Sequence, residues 1–308
     1  MTRKRTLRII FYTGIAGAIF VVASWGFAVR FTSARRVHID PPPTDAPAPF
    51  IPISFRTTDS LTLRGWYATP AEGRPTVILL HGYTGNRTHM VPRAEWLLGL
   101  GYGVLLYDAR ACGESDGDMI SMGYYERHDL TAAIDFLRSR GVRDIGCLGV
   151  SQGGATIALA APELDSIRFA ILESTYDTME DAIDHRFRHY IGLPASIAAS
   201  LMIPIAERRL GARVADISPL QSILKLRCPV LLMGGEEDPL AHLSEMVELF
   251  RAADSRKAGS TYMITFPGAG HEDLMAFNPP PGYRGRLYRD VVARFLAMTM
   301  PLDRGISP

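Results

Sequence analysis

Ser151 sits in the run Gly149-Val150-Ser151-Gln152-Gly153-Gly154, after an apolar stretch ending at Leu148 and before the helix-forming residues Ala155 to Ala161. A serine hydroxyl is a poor nucleophile at neutral pH and becomes reactive only when a base takes its proton. Taken alone, the run is equally a glycine-rich bend between a strand and a helix, so the rest of the chain must supply partners. His271, in Pro267-Gly268-Ala269-Gly270-His271-Glu272-Asp273-Leu274, is of the residue type suited to accept the serine proton and return it to a leaving group. Asp238, in Gly234-Gly235-Glu236-Glu237-Asp238-Pro239, can hold the other ring nitrogen and stabilise the imidazolium; Glu236 and Glu237 are neighbours within reach of the same role. The chain order is nucleophile, acid, base.

Glycines two residues either side of Ser151 give the pattern G-x-S-x-G, in which Gly149 and Gly153 remove the clashes of a sharp strand-to-helix turn. Such a turn lifts the serine oxygen towards substrate and aims the first amides of the following helix at the same point. The backbone N–H groups of Gln152 and Tyr83 are the expected oxyanion donors; loss of one such donor typically costs about 3 kcal/mol of barrier.

These residues need elements to carry them. The chain has 308 residues, 47% hydrophobic and 21% charged, enough for one large α/β domain with additions. Ile51 to Arg56 and Leu61 to Tyr67 flank the turn signal Thr58-Asp59-Ser60 and read as an antiparallel pair. Thr76–Leu80, Val104–Tyr107, Ile145–Val150, Phe169–Leu172, Val230–Met233 and Tyr262–Phe266 are continuous apolar runs, the pattern of parallel strands buried on both faces. Helical patterns alternate with them over Met90–Leu100, Tyr125–Leu137, Ser151–Ala161, Leu243–Phe250 and Arg286–Met298. The expectation is α/β: a doubly wound, mostly parallel sheet of about eight strands, with its ligand site at the carboxyl ends of the strands. Tyr83, Ser151, Asp238 and His271 each follow such a strand. From about 176 to 225 the alternation stops, and two or three helices, including Met179–Tyr190 and Ala195–Leu210, read as a small cap above the site. It mixes apolar Ile197, Leu201, Met202 and Ile203 with Arg186, Arg188, Arg208 and Arg209.

The N-terminal part is a different physical unit. Residues 1–8 are a basic flank. Residues 9–29, Ile9 to Val29, carry no charge and as a helix would span roughly 30 Å, the hydrocarbon thickness of a bilayer. Arg30, Arg35 and Arg36 follow, and Tyr12 and Trp25 stand near the two ends, where such rings favour the interface. The reading is a single-pass transmembrane signal anchor. A cleaved signal peptide has a shorter apolar core, and a buried soluble helix would show a polar face. The slightly larger positive charge ahead of the helix puts the N-terminus in the cytoplasm and the catalytic domain outside it. Residues 30–49, rich in proline, read as a linker, residues 50–300 as the domain, and residues 301–308 as a C-terminal tail.

His81 to Arg87 (HGYTGNR), Tyr107 to Asp118 (YDARACGESDGD), GVSQGG, GGEEDP and GAGHEDL together resemble the α/β-hydrolase superfamily, in the broad branch with monoglyceride-lipase-like and serine-aminopeptidase-like enzymes. The resemblance covers about residues 50–300. It implies the fold, the Ser151/Asp238/His271 triad, the oxyanion roles of Tyr83 and Gln152, and a structural role for His81 beside Gly82. Pro239 directly after the acid departs from the pattern.

Other readings carry less chemistry. Asp108 to Gly113 looks like a loop that braces the site through Asp108 or Arg110. The three cysteines, Cys112, Cys147 and Cys228, form neither a disulfide framework nor a zinc motif, and no histidine is placed to make Cys112 a rival nucleophile. His242 reads as a helix-start residue, and His128, His185 and His189 as exposed or satisfied on helices. A net charge of +1 gives no field for nucleic acid. No metal or organic cofactor is implied. The activity expected is hydrolysis of a small-molecule ester or related acyl bond, with amide, peptide and thioester cleavage open on the same triad and a non-catalytic binding protein as the rival of another class.

Overall fold

The computed structural model describes residues 3–72, 74–164, 167–192, 194–256, 260–271, 274–277 and 285–300, so the expected tail at 301–308 lies outside the described residues, as does the side chain of Ile197. In chain order the elements are α1 (Arg3–Thr32), β1 (Arg35–Arg36), β2 (Ile51–Arg56), β3 (Thr62–Ala68), β4 (Thr76–Leu80), α2 (Val91–Gly99), β5 (Gly103–Tyr107), β6 (Cys112–Gly113), α3 (Glu126–Ser139), β7 (Ile145–Val150), α4 (Gln152–Leu159), β8 (Ala170–Glu173), α5 (Met179–Ile191), α6 (Ser196–Leu210), α7 (Pro219–Ile223), β9 (Val230–Gly235), α8 (Leu243–Asp254), β10 (Thr261–Phe266) and α9 (Tyr288–Thr299).

Eight strands form one sheet in the order β10-β9-β8-β7-β4-β5-β3-β2. Pairing is parallel from β10 to β5 and antiparallel at β3 and β2. The continuous apolar runs are explained by burial on both sides. Ile78, Leu80, Leu105 and Cys147 face a core built with α3, α4, α7 and α8; Val77, Leu79, Leu106 and Leu148 face a second core with α2 and α9. β4 and β7 are neighbours whose crossovers run to opposite sides of the sheet, with β5 beyond β4 and β8 beyond β7. The loops leaving their carboxyl ends therefore diverge and open a crevice, the place where ligands bind in such sheets. Tyr83 and Ser151 stand on those two loops.

The helical segment between β8 and β9 divides in two. α5 and α6 form the cap. α7, which the sequence places in the same cap, instead returns to the body: Ser218 caps its start by accepting from Gln221 N–H, and Ile223 is fully buried in the core.

α1 is the one helix among the described residues long and apolar enough to cross a membrane, over Phe11–Thr32, and only 12% of its most apolar window is buried. Its last turns are nevertheless docked. Ser24, Ala28 and Thr32 are buried, and their spacing of four residues aligns them on one face. Small residues there let α6 approach closely, and Arg209 Nε donates to Thr32 Oγ1 at 2.8 Å. Beyond it, the first part of the stretch expected as a linker pairs with the domain. β1 lies parallel to β6, with Arg35 N–H donating to Ala111 O at 2.6 Å and Val37 N–H to Gly113 O at 3.0 Å. Cys112, Cys147 and Cys228 are all free and buried.

Candidate active site

The turn from β7 to α4 is as sharp as the glycines imply. Ser151 has φ 52° and ψ −113°, a backbone region that L-residues occupy only under constraint. A side chain at position 149 would bring its Cβ within 2.3 Å of Gly153 C, and one at position 153 within 2.4 Å of Leu80 O. Neither backbone can move aside, so both positions require glycine. The turn is pinned from the neighbouring strand, where Glu173 O accepts from Ser151 N–H at 2.7 Å.

The loops after β9 and β10 meet over Ser151. Gly235 allows this, because a Cβ there would lie 2.1 Å from Ala269 O, and Ala269 O accepts from Glu237 N–H at 3.1 Å. His271 Nε2 stands 2.9 Å from Ser151 Oγ, and His271 Nδ1 stands 2.8 and 2.9 Å from the two carboxylate oxygens of Asp238. Asp238 is buried. Burial would raise its pKa, but hydrogen bonds from His271 and from the Leu240 and Ala241 amides outweigh this and hold the carboxyl below its ordinary value. Pro239 does not disturb the acid's loop: the next two amides, of Leu240 and Ala241, donate to Asp238 Oδ1 at 2.8 and 2.9 Å. Glu236 is turned away and accepts from Thr265 Oγ1. An ionised carboxylate on Nδ1 leaves Nε2 as the acceptor facing the serine proton.

Gln152 opens α4, so its amide is among those a helix start leaves without an intrahelical partner. Tyr83 lines the same cavity as Ser151 and His271. Its loop is held by His81, whose Nδ1 donates to Gly82 O at 2.8 Å while its Nε2 accepts from Ala109 N–H at 3.1 Å. Burial lowers the His81 pKa, and one nitrogen accepting an amide suits the neutral ring. Asp108 is fully buried and accepts from Arg87 N–H and Arg87 Nη1. Arg110 pairs with Asp129 and Asp59. Both serve as braces for the loops after β4 and β5. Cys112 is buried and its thiol is pushed up by that burial, which suppresses the thiolate a nucleophile needs.

Three groups were not visible to sequence reasoning. Beneath Ser151, Glu173 receives Arg93 Nη2 at 2.6 Å and Tyr288 Oη at 2.5 Å, a buried network drawn from β8, α2 and α9. A glutamate ending an apolar strand was its one local signal. Beside the acid loop, His185 of α5 stacks on His242 at 3.7 Å, 3.1 Å from Glu245. Burial pushes Glu245 up to about 8, reinforced by Asp177 and Asp181, and lowers His185; the pair is therefore a neutral carboxyl beside a neutral imidazole. Lastly, Phe27 and Phe31 of α1 line the cavity over Ser151, opposite Phe187, Tyr190 and Ile191 of the cap. That cavity measures about 330 Å³, the lower end of the usual ~300–1,000 Å³ for small-molecule sites.

Comparisons with known proteins show the family and the fold. Residues 77–283 match the model of a family described as the alpha/beta hydrolase family. The uncharacterised protein YqkD of Bacillus subtilis is 30% identical over 206 residues, a stretch covering 64% of this chain and 66% of that protein. In structure, the chain is similar to the Pyrococcus furiosus esterase Pf2001, with 25% identity and a TM-score of 0.71 over 88% of this chain and 98% of the esterase. It shares the fold of the Pyrococcus horikoshii acylaminoacyl peptidase, with 19% identity and a TM-score of 0.63 over 84% of this chain and 43% of the peptidase.

Proposed function

Since this chain belongs to the alpha/beta hydrolase family, we propose that it is a membrane-anchored serine hydrolase cleaving an ester or related acyl bond through an acyl-enzyme. The observation that carries the reading is the continuous hydrogen-bonded line from Ser151 Oγ through His271 to Asp238, at 2.9 and 2.8 Å. His271 Nε2 takes the hydroxyl proton as Ser151 Oγ attacks the carbonyl carbon. The carbonyl π electrons move to oxygen, and the oxyanion is held by the Gln152 and Tyr83 amides. Collapse expels the alcohol, which takes the proton from His271. Water then repeats the sequence on the acyl-enzyme: it gives a proton to His271, the acid leaves, and Ser151 Oγ is reprotonated. Asp238 stays ionised throughout and stabilises the imidazolium in both halves.

An ester is favoured over an amide or thioester by the similarity to an esterase at 25% identity; the mostly apolar lining of the cavity suits the acyl part of the substrate. A purely binding protein would have no use for a serine held in a strained turn with an acid and base aligned behind it. The anchor reading rests on the uncharged run 9–29 and its basic flanks; α1 then crosses the bilayer once, with its N-terminus in the cytoplasm and the catalytic domain outside.

The test is fluorophosphonate labelling. An adduct on Ser151 is expected, absent in Ser151→Ala. A folded wild-type sample that takes no label overturns the reading.

A further inference from the structure

α1 does more than tether. Its last two aromatic residues, Phe27 and Phe31, stack on each other at 6.1 Å and reach opposite ways into the domain: Phe27 meets Phe187 of the cap at 5.3 Å, and Phe31 meets Tyr83 at 4.9 Å. Both line the cavity that holds Ser151 and His271. Both also line a second, mostly apolar crevice between α1 and the cap, bounded by Ile183, Met202 and Ile203. Phe187 and Arg186 are common to the two. The two spaces therefore adjoin along α1, and one of them opens on the serine.

The length of the apolar run places this junction relative to a bilayer. From Ile9 to Ala23, the part ahead of the docked turns, a helix advances about 22 Å, short of the ~30 Å hydrocarbon thickness. Crossing requires the run to continue through Phe27 to Val29. The turn that borders the bilayer is therefore also a wall of the cavity. At the cavity rim, Tyr190 and Ile191 at the end of α5 are 70% and 49% exposed, an apolar lip with an aromatic of the kind that favours the membrane interface.

We infer that Phe27 and Phe31 are acyl-binding residues, and that the substrate is a membrane-resident lipid ester whose chain lies along the C-terminal end of α1 while its carbonyl reaches Ser151. The inference rests on the hydrolase reading above and adds to it the substrate class and the route of access. A short water-soluble ester needs neither aromatic ring. A long chain is desolvated by both as it leaves the lipid phase, so the contribution of the rings grows with chain length.

The full-length protein in lipid nanodiscs provides the test. A hexadecyl fluorophosphonate carrying a mid-chain diazirine is allowed to react with Ser151 and is then irradiated. Crosslinks from the labelled serine to the peptide containing Phe27 and Phe31 are expected. Labelling of Ser151 with crosslinks confined to other segments, or labelling by a short-chain fluorophosphonate but not by the hexadecyl one, overturns the inference and leaves the hydrolase reading standing; labelling by neither overturns both. In kinetics, Phe27→Ala/Phe31→Ala should lower kcat/KM for a palmitoyl ester at least tenfold more than for a butyryl ester, with Phe27→Leu/Phe31→Leu restoring most of the difference. An equal change for both chain lengths overturns the inference. Should the alanine variant fail to fold, the wild-type crosslink decides.

Discussion

Tyr83 donates its hydroxyl to the main-chain carbonyl of Phe31 at 2.8 Å, joining the loop after β4 to the last turn of α1. That carbonyl is one of those a helix end leaves without an intrahelical partner, so the tyrosine serves as a latch between the helix and the loop expected to hold the oxyanion. Tyr83→Phe leaves the acceptor unpaired in a partly buried place, at a cost of about 1–3 kcal/mol. Faster hydrogen exchange at the last turn of α1 and a lower melting temperature are expected. Exchange and melting indistinguishable from wild type would show that the latch carries no weight.

The strained turn at Ser151 has a measurable cost. A non-glycine residue at φ 52° and ψ −113° stores roughly 1–3 kcal/mol, and glycine adopts that region freely at a smaller entropic cost. Ser151→Gly is therefore expected to melt higher than Ser151→Ala, though both lack the hydroxyl and both should be inactive. If the alanine variant is the more stable, the turn is not strained in the way its angles imply.

Glu173 couples the Ser151 turn to the far helices. Its carbonyl holds Ser151 N–H and its carboxylate pairs with Arg93 and Tyr288. Removing one partner of a buried pair leaves the other charge uncompensated, typically at about 3–5 kcal/mol. Arg93→Met should lose stability of that order in denaturant melts, and Arg93→Met/Glu173→Met should recover part of it. A double variant no better than the single one would remove the ion pair from the account.

Glu245 predicts how stability depends on pH. Its folded value of about 8 lies above the ordinary 4.5, so the folded chain keeps a proton that the unfolded chain releases. The stability that goes with this proton is complete below about 4.5 and is lost as pH rises through about 8. Glu245→Gln keeps the group neutral and can still accept from His242 N–H through its amide oxygen. Melting curves should show the variant gaining on wild type from pH 5 to pH 9; parallel curves would mean the carboxyl is already ionised at neutral pH.

Each part of the molecule was readable to the extent that it leaves a local mark. The parallel strands do so because burial on both faces demands unbroken apolar runs, and Thr76–Leu80 and Ile145–Val150 have those limits in the structure. The serine turn does so through Gly149 and Gly153. The sequence places α7 in the cap because five residues between longer helices carry no sign of which layer they join. The Glu173 network spans sequence separations of 80 and 115 residues, so no window contains it. Phe27 and Phe31 were hidden for the opposite reason: in a helix apolar on every side, the residues that face outward and those that line the cavity over Ser151 have the same composition. The pairing of His185 with His242 depends on how α5 lies against the loop that leads into α8, which neither segment specifies alone.

The burial of the three cysteines has a practical consequence. Cys112, Cys147 and Cys228 are each buried and free, with thiols pushed up by their surroundings, so none should react with a polar maleimide while the chain is folded. The wild-type protein then serves as its own blank. A single cysteine introduced at an exposed position such as Asp118 would test the proposed anchor: with a reagent that cannot cross the bilayer, labelling in sealed vesicles reports on which side the domain stands.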